Sequence, residues 1–181
     1  MSEYEKIGSA ADLDRVKERF REESEQYSRT LLFCSGSGCV SSNCIEVRDA
    51  LIAELKEAGL SDSVKLSTTG CIGICEVGPR MTVMPDGIFY CKLKPEDMKK
   101  IVKKHLVENR VCEEFCYTDR ETGKKVPQMK DIAFFKGQNK TVLRDCGMIS
   151  HKSIEEFIYH DGYYALRSEE HTSELQSLRH L

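Results

Sequence analysis

Residues 68–90 read TTGCIGICEVGPRMTVMPDGIFY, and the order of signals in this stretch decides the fold. Val64–Thr69 is a β-rich run that ends on Gly70-Cys71. The loop after it carries Cys71 and Cys75, separated by three residues, and closes on Gly78-Pro79. Met81–Met84 is a second apolar run. Pro85-Asp86-Gly87 is a strong turn signal, so Ile88–Leu93 returns as the antiparallel partner of that run. A thiol-bearing loop therefore leads into a hairpin.

The same logic extends upstream. Thr30–Phe33 is a short apolar strand that enters the Gly/Ser-rich turn Cys34-Ser-Gly-Ser-Gly-Cys39. A helix over about 43–58 follows, with Val47, Leu51, Leu55 and Ala58 on one face, and Gly59 suits its C′ position. A helical crossover of this kind makes the strands at 30–33 and 64–69 parallel neighbours. Downstream, Pro95 opens a helix over about 95–108 with Met98, Ile101, Val102 and Leu106 facing inward. The expected fold class is α/β, a thioredoxin-like small mixed sheet with helices on its faces, over residues 29–110. Ahead of it, residues 1–28 hold an amphipathic helix at 9–26. Ser9 caps it, and Leu13, Val16 and Phe20 form the apolar stripe of a surface helix laid on the domain.

Composition narrows the function classes. The chain has 181 residues, 40 % hydrophobic and 31 % charged, with a net charge of −3, the balance of a soluble globular protein. That charge gives no basic footprint for nucleic acid. No apolar run reaches the roughly 18 residues of a membrane span, and the charged N-terminus is not a secretory signal. The expectation is a cytoplasmic protein. Nine cysteines, an odd number, then argue for metal or redox chemistry rather than a disulfide framework.

Cys34 and Cys39 have four residues between them, and Cys71 and Cys75 have three. Both pairs sit on loops that immediately follow parallel strands, so they emerge at one edge of the sheet. Four thiolates there suit a metal or a cluster. A [2Fe–2S] cluster takes two thiolates on each iron, and structural zinc also takes four cysteines at similar spacings. Spacing alone leaves both open. A Cys-x-x-Cys redox site and the plant-type ferredoxin run are both absent. Gly36, Gly38, Gly70 and Gly73 permit close backbone approach and N–H groups aimed at sulfur.

The segments CSGSGCVSS (34–42) and 68–90 resemble the thioredoxin-like [2Fe–2S] ferredoxin family across roughly residues 30–110. That family includes the small NADH-dehydrogenase subunit and the N-terminal extension of flavoprotein subunits of NAD(P)-linked hydrogenases. All four ligand positions match at Cys34, Cys39, Cys71 and Cys75; the family usually has threonine where Ser37 stands. The resemblance implies a [2Fe–2S] cluster on those four thiolates and no catalytic residue in this part of the chain.

Residues 111–130 are polar and turn-rich and read as a linker. Residues 131–166, including FFKGQNKTVLRDCGMISHKSIEEFIYHDGYYAL, are similar to the opening of the NADH-binding flavoprotein subunit, an incomplete second unit. Here Ile132–Phe135 and Thr141–Leu143 are strand candidates, and 151–159 is a short helix. In that family FMN, NAD(P) and a [4Fe–4S] cluster follow downstream, and none of their motifs occurs here. Residues 167–177, RSEEHTSELQS, read as an in-frame translation of a common sequencing-library adapter, so 167–181 is expected to be artefact and the gene cut near Leu166.

The resemblance thus implies an electron-transfer domain of an NADP-reducing or electron-bifurcating hydrogenase flavoprotein subunit. Such a piece, alone, is an electron carrier that does not turn over NAD(P)H. Its expected partners are other subunits of a hydrogenase or dehydrogenase complex, or a soluble ferredoxin. The alternatives are an NADH–quinone oxidoreductase subunit, a stand-alone ferredoxin and a zinc-stabilised interaction domain.

The remaining candidates read as structural. Cys112 and Cys116 form a C-x₃-C pair that lacks two further ligands for a second metal site. Cys44, Cys91 and Cys146 read as packed residues. Pro79 is expected to follow a trans bond. His105, His151 and His160 are expected to be solvated, and Lys99, Lys100, Lys103 and Lys104 form a solvated basic face.

Overall fold

A computed structural model describes residues 7–163 and 165; the proposed adapter tail at 167–181 lies outside the described residues. The chain divides into two units, one made of residues 27–151 and the other of residues 1–26 with 152–181.

In the larger unit, four strands form one mixed sheet in the order β2-β1-β3-β4. They are β1 (Arg29–Cys34), β2 (Val64–Thr69), β3 (Arg80–Met84) and β4 (Ile88–Cys91). β1 runs parallel to β2, from Arg29↔Val64 to Cys34↔Thr69. It runs antiparallel to β3, from Thr30↔Met84 to Phe33↔Met81, and β3 pairs antiparallel with β4. The crossover from β1 to β2 carries a short helix α2 (Ser37–Val40) and then α3 (Cys44–Glu57). α3 ends as its sequence asks. Gly59 takes φ +67, the Leu60 N–H donates to the Leu55 carbonyl at 2.9 Å, and the Gly59 N–H donates to the Lys56 carbonyl at 3.1 Å. That is a Schellman stop, and a side chain at position 59 would meet the left-handed penalty that glycine avoids.

One face of the sheet buries Leu31, Phe33, Met81, Val83, Ile88 and Tyr90 against Val47, Leu51 and Leu55 of α3 and against Met98 and Ile101 of α4 (Asp97–Ile101). The helix expected over 95–108 is interrupted: α4 passes into a π-helix over Val102–Val107. His105 lies inside this turn, which corrects the solvated reading. It is buried, and its Nδ1 is 2.8 Å from the Tyr90 hydroxyl. That hydroxyl also accepts the Cys112 N–H at 3.1 Å, so one phenol ties the imidazole to the segment after the helix. Burial lowers the His105 pKa, Arg29 lowers it further, and Asp86 opposes them. The unfolded chain therefore takes up a proton first as pH falls through the ordinary value of about 6.5. Unfolding stability is expected to drop below that pH until the folded-state pKa is passed. Urea titrations from pH 8 to 5 check this, and His105→Gln should remove that component of the slope.

The second face of the sheet is covered by the stretch expected to be a linker. Phe89 and Cys91 pack with Ile72, Val77 and Ile132, joined by Tyr117, Val126 and Met129. The Phe89 N–H donates to the Pro127 carbonyl at 2.8 Å and the Met129 N–H to the Gly87 carbonyl at 3.0 Å. Isolated bridges tie Tyr90 to Cys116 and Ile88 to Gln128. Between these anchors, β5 (Tyr117–Thr118) and β6 (Lys125–Val126) form a small hairpin. Residues 111–130 are thus part of the larger unit. The strand expected at 132–135 is instead α5 (Ala133–Lys136) after a buried Ile132. The strand expected at 141–143 is a turn in which Val142 is fully exposed. Residues 116 and 128 already bridge to β4, and an isolated strand with no partner has no ladder to join.

The smaller unit pairs α1 (Ala10–Glu25) with α6 (Ile154–Tyr159). The Ser9 hydroxyl accepts the Asp12 N–H, and the Asp12 carboxylate accepts the Ser9 N–H at 2.8 Å, a capping box. Within this unit the Phe20 and Tyr159 rings meet at 5.3 Å between centres.

Candidate metal centre

Each thiol pair sits where a strand gives way to a loop. β1 ends on Cys34, and α2 brings Cys39 back toward it; the Ser35 N–H donates to the Thr69 carbonyl at 3.2 Å and pins this turn to the end of β2. From β2 the chain passes Gly70 and Cys71 to a 3₁₀ turn over Cys75–Val77. It then crosses Gly78–Pro79, which is cis, as is Met84–Pro85; the trans expectation at Pro79 is corrected. All four predicted cysteines lie together at one edge of the sheet.

Their exposure is uneven. Cys34 is 2 % and Cys39 1 % accessible, while Cys71 and Cys75 are exposed. The Cys71 and Cys75 sulfurs are 3.3 Å apart, and the Cys34 and Cys39 thiols are hydrogen-bonding partners. Among the described residues, no group of three His, Cys, Asp or Glu side chains is gathered closely enough to hold a single metal ion. The arrangement is two pairs, and two pairs are what a two-iron cluster asks of a protein.

Backbone closeness holds the pairs face to face. A Cβ on Gly36 would stand 3.3 Å from Cβ of Cys71 and 3.6 Å from Sγ of Cys34; one on Gly38 would stand 3.2 Å from Cβ of Cys75. The Gly73 N–H points at Sγ of Cys71 from 3.3 Å, and the Gly36 N–H bonds to Cys34. Gly78, which sequence reasoning passed over, is the tightest point: its Cβ would lie 3.0 Å from Sγ of Cys39 and 3.2 Å from the Cys75 carbonyl oxygen. Its only sequence signal was its place before Pro79. Gly78→Ala is expected to destabilise the protein by about 1–3 kcal/mol through overpacking and to lower iron content. Thermal melts and iron analysis on reconstituted protein check it.

Electrostatics favour thiolate at the buried pair. The hydrogen bond from the Cys39 thiol holds Cys34 well below the usual thiol range, against the cost of burial; the Gly36 N–H and the Arg80 guanidinium act in the same direction. Cys39 is pushed up in turn, first by that bond and then by burial. Cys75 is raised by its bond to Cys71. The other cysteines stay outside the constellation. Cys44, Cys91, Cys112 and Cys116 are buried, and burial raises the pKa of each. Cys146, read as packed, is half-buried and donates its S–H to the Cys71 carbonyl at 2.9 Å. Sequence offered no sign of that contact.

A mixed four-stranded sheet with paired thiols on two loops at one edge defines a thioredoxin-like domain built around a metal-binding centre. A family profile described as thioredoxin-like [2Fe-2S] ferredoxin matches residues 20–106. A 2Fe-2S ferredoxin of Clostridium pasteurianum is 36 % identical over 73 residues, 40 % of this chain and 72 % of that protein. A 2Fe-2S ferredoxin of Aquifex aeolicus is 36 % identical over 69 residues, 38 % of this chain and 62 % of that one. A solved thioredoxin-like [2Fe-2S] ferredoxin of Aquifex aeolicus superposes with a TM-score of 0.45 at 28 % identity, covering 49 % of this chain and 89 % of that one. The chain belongs to the thioredoxin-like [2Fe–2S] ferredoxin family. It carries an electron-transfer domain with a [2Fe–2S] cluster. Among the described residues no helix is long and apolar enough to cross a membrane.

Proposed function

We propose that Cys34, Cys39, Cys71 and Cys75 hold the cluster, and that the domain is the electron port of an NAD(P)-linked flavoprotein subunit of the hydrogenase type. A [2Fe–2S] cluster supplies one-electron transfer. Cys34 and Cys39 would hold it from the buried side, and Cys71 and Cys75 from the side exposed to a partner. Gly36 and Gly73 aim N–H groups at sulfur, which favours the reduced, more negative state.

The observation that carries the flavoprotein reading is how closely the downstream segment is knit to the cysteine loop. Ser150 bridges to Thr69, Cys146 bonds to the Cys71 carbonyl, and the Phe134 ring lies where a Cβ on Gly73 would be 3.5 Å from it. Residues similar to the start of a flavoprotein thus rest against the site that would exchange electrons with it. On this reading the missing part supplies FMN, NAD(P) and a [4Fe–4S] cluster, and the domain works in the cytoplasm beside other complex subunits or a soluble ferredoxin. The test is the gene past Leu166. A Gly-rich flavin loop and a further cysteine set are expected there, and a stop codon directly after that point would overturn the reading in favour of a stand-alone ferredoxin. Iron and acid-labile sulfide, in equal amounts at two each per chain, test the cluster assignment; one colourless zinc per chain would overturn it.

A further inference from the structure

Among the described residues Arg80 is the largest fully buried side chain, 1 % accessible at the first position of β3. Its Nη2 donates to the Gly70 carbonyl at 3.2 Å, just before Cys71. Its Nη1 is buried and has no hydrogen-bond partner, and Thr69 Oγ1 is in the same condition. The pairings Cys34↔Thr69 and Phe33↔Met81, continued by one residue, set Cys34 between these two: Thr69 on one side and Arg80 on the other. Among the described residues no carboxylate forms an ion pair with Arg80.

A guanidinium does not shed its proton in a protein, and an uncompensated buried charge costs several kcal/mol. The fold therefore needs an anion beside Arg80, and among the described residues the strand register sets the Cys34 thiol there. We propose that Arg80 is the built-in counter-charge of the cluster: it stabilises the extra negative charge added on one-electron reduction and so raises the reduction potential. This rests on the reading of Cys34 as a ligand. Nothing in the sequence marked this arginine beyond its place after Pro79.

The test is a dye-mediated redox titration of reconstituted protein, followed by visible absorption, on wild type, Arg80→Gln and Arg80→Lys. Glutamine keeps an N–H for the Gly70 carbonyl but removes the charge, and lysine keeps the charge without the fork. Arg80→Gln is expected to lower the reduced-to-oxidised ratio at a fixed potential at least tenfold, which is about 59 mV for one electron. Arg80→Lys should recover most of that. If Arg80→Gln fails to hold a cluster while Arg80→Lys holds one, the charge is again what the site requires. An unchanged potential in Arg80→Gln overturns the proposal, as do equal shifts in both variants or loss of the cluster in both, since the residue would then serve only to position Gly70. Wild type without iron and sulfide would instead refute the ligand assignment, leaving the two failures distinguishable.

Discussion

Cys34→Ala is expected to abolish cluster binding and to weaken the fold at the same time. Cys34 is the last residue of the central strand and is buried beside Cys39 and Arg80. On the proposed assignment, removing it takes away one of two thiolates on one iron and leaves the buried guanidinium without its anion. Breaking a buried charge pair from one side costs about 3–5 kcal/mol. Cys71→Ala should also lose the cluster, but its exposed position means that apoprotein stability changes little, within about 0.5 kcal/mol. Iron and sulfide analysis with urea unfolding of the apoproteins separates the two effects. Equal destabilisation at both positions would contradict the uneven burial of the pairs.

The second large effect is expected from Ile132→Ala. Ile132 is fully buried and packs with Phe89, Cys91, Ile72 and Val77 over the face of the sheet away from α3 and α4. Truncating a buried isoleucine costs about 2–5 kcal/mol. If residues past 110 were a detached linker and a separate unit, the same change would leave the ferredoxin-like domain untouched. Denaturant unfolding monitored by near-ultraviolet circular dichroism gives the comparison, with the exposed Val142→Ala as a control expected to lie within about 0.5 kcal/mol.

The strands and the four cysteines were legible because their signals are local. β2, the Pro85-Asp86-Gly87 turn and the Gly59 stop each announce themselves within a few residues, and parallel pairing of β1 with β2 follows from the helix between them. What escaped was set by distant partners. The polar run TDRETGKK has the composition of a linker, and the anchors of Cys116 and Pro127 on β4 and of Met129 on the Gly87 turn make the stretch around it cover for the sheet. His105 stands among lysines in sequence, yet Tyr90 draws it inward. Arg80 carried no signal of its own in the sequence, and its burial at the start of β3 comes from the fold. At the site itself, the four proposed ligand cysteines stood out through spacing and resemblance, whereas Gly78 and Arg80 touch residues distant in the chain.

The contacts of residues 134–150 with the cysteine loop also bear on how the protein is loaded. The ligand-bearing stretch leaves the ribosome before those residues do, at about 5–20 residues per second, so on the order of seconds passes with the loop uncovered. A delivery scaffold is expected to find the Cys71–Cys75 loop without neighbours in the nascent chain and flanked by Phe134, near Gly73, and by Cys146, on the Cys71 carbonyl, once synthesis has passed Ser150. Biogenesis then has a preferred window, and cluster transfer to the finished apoprotein should be slower than transfer during translation.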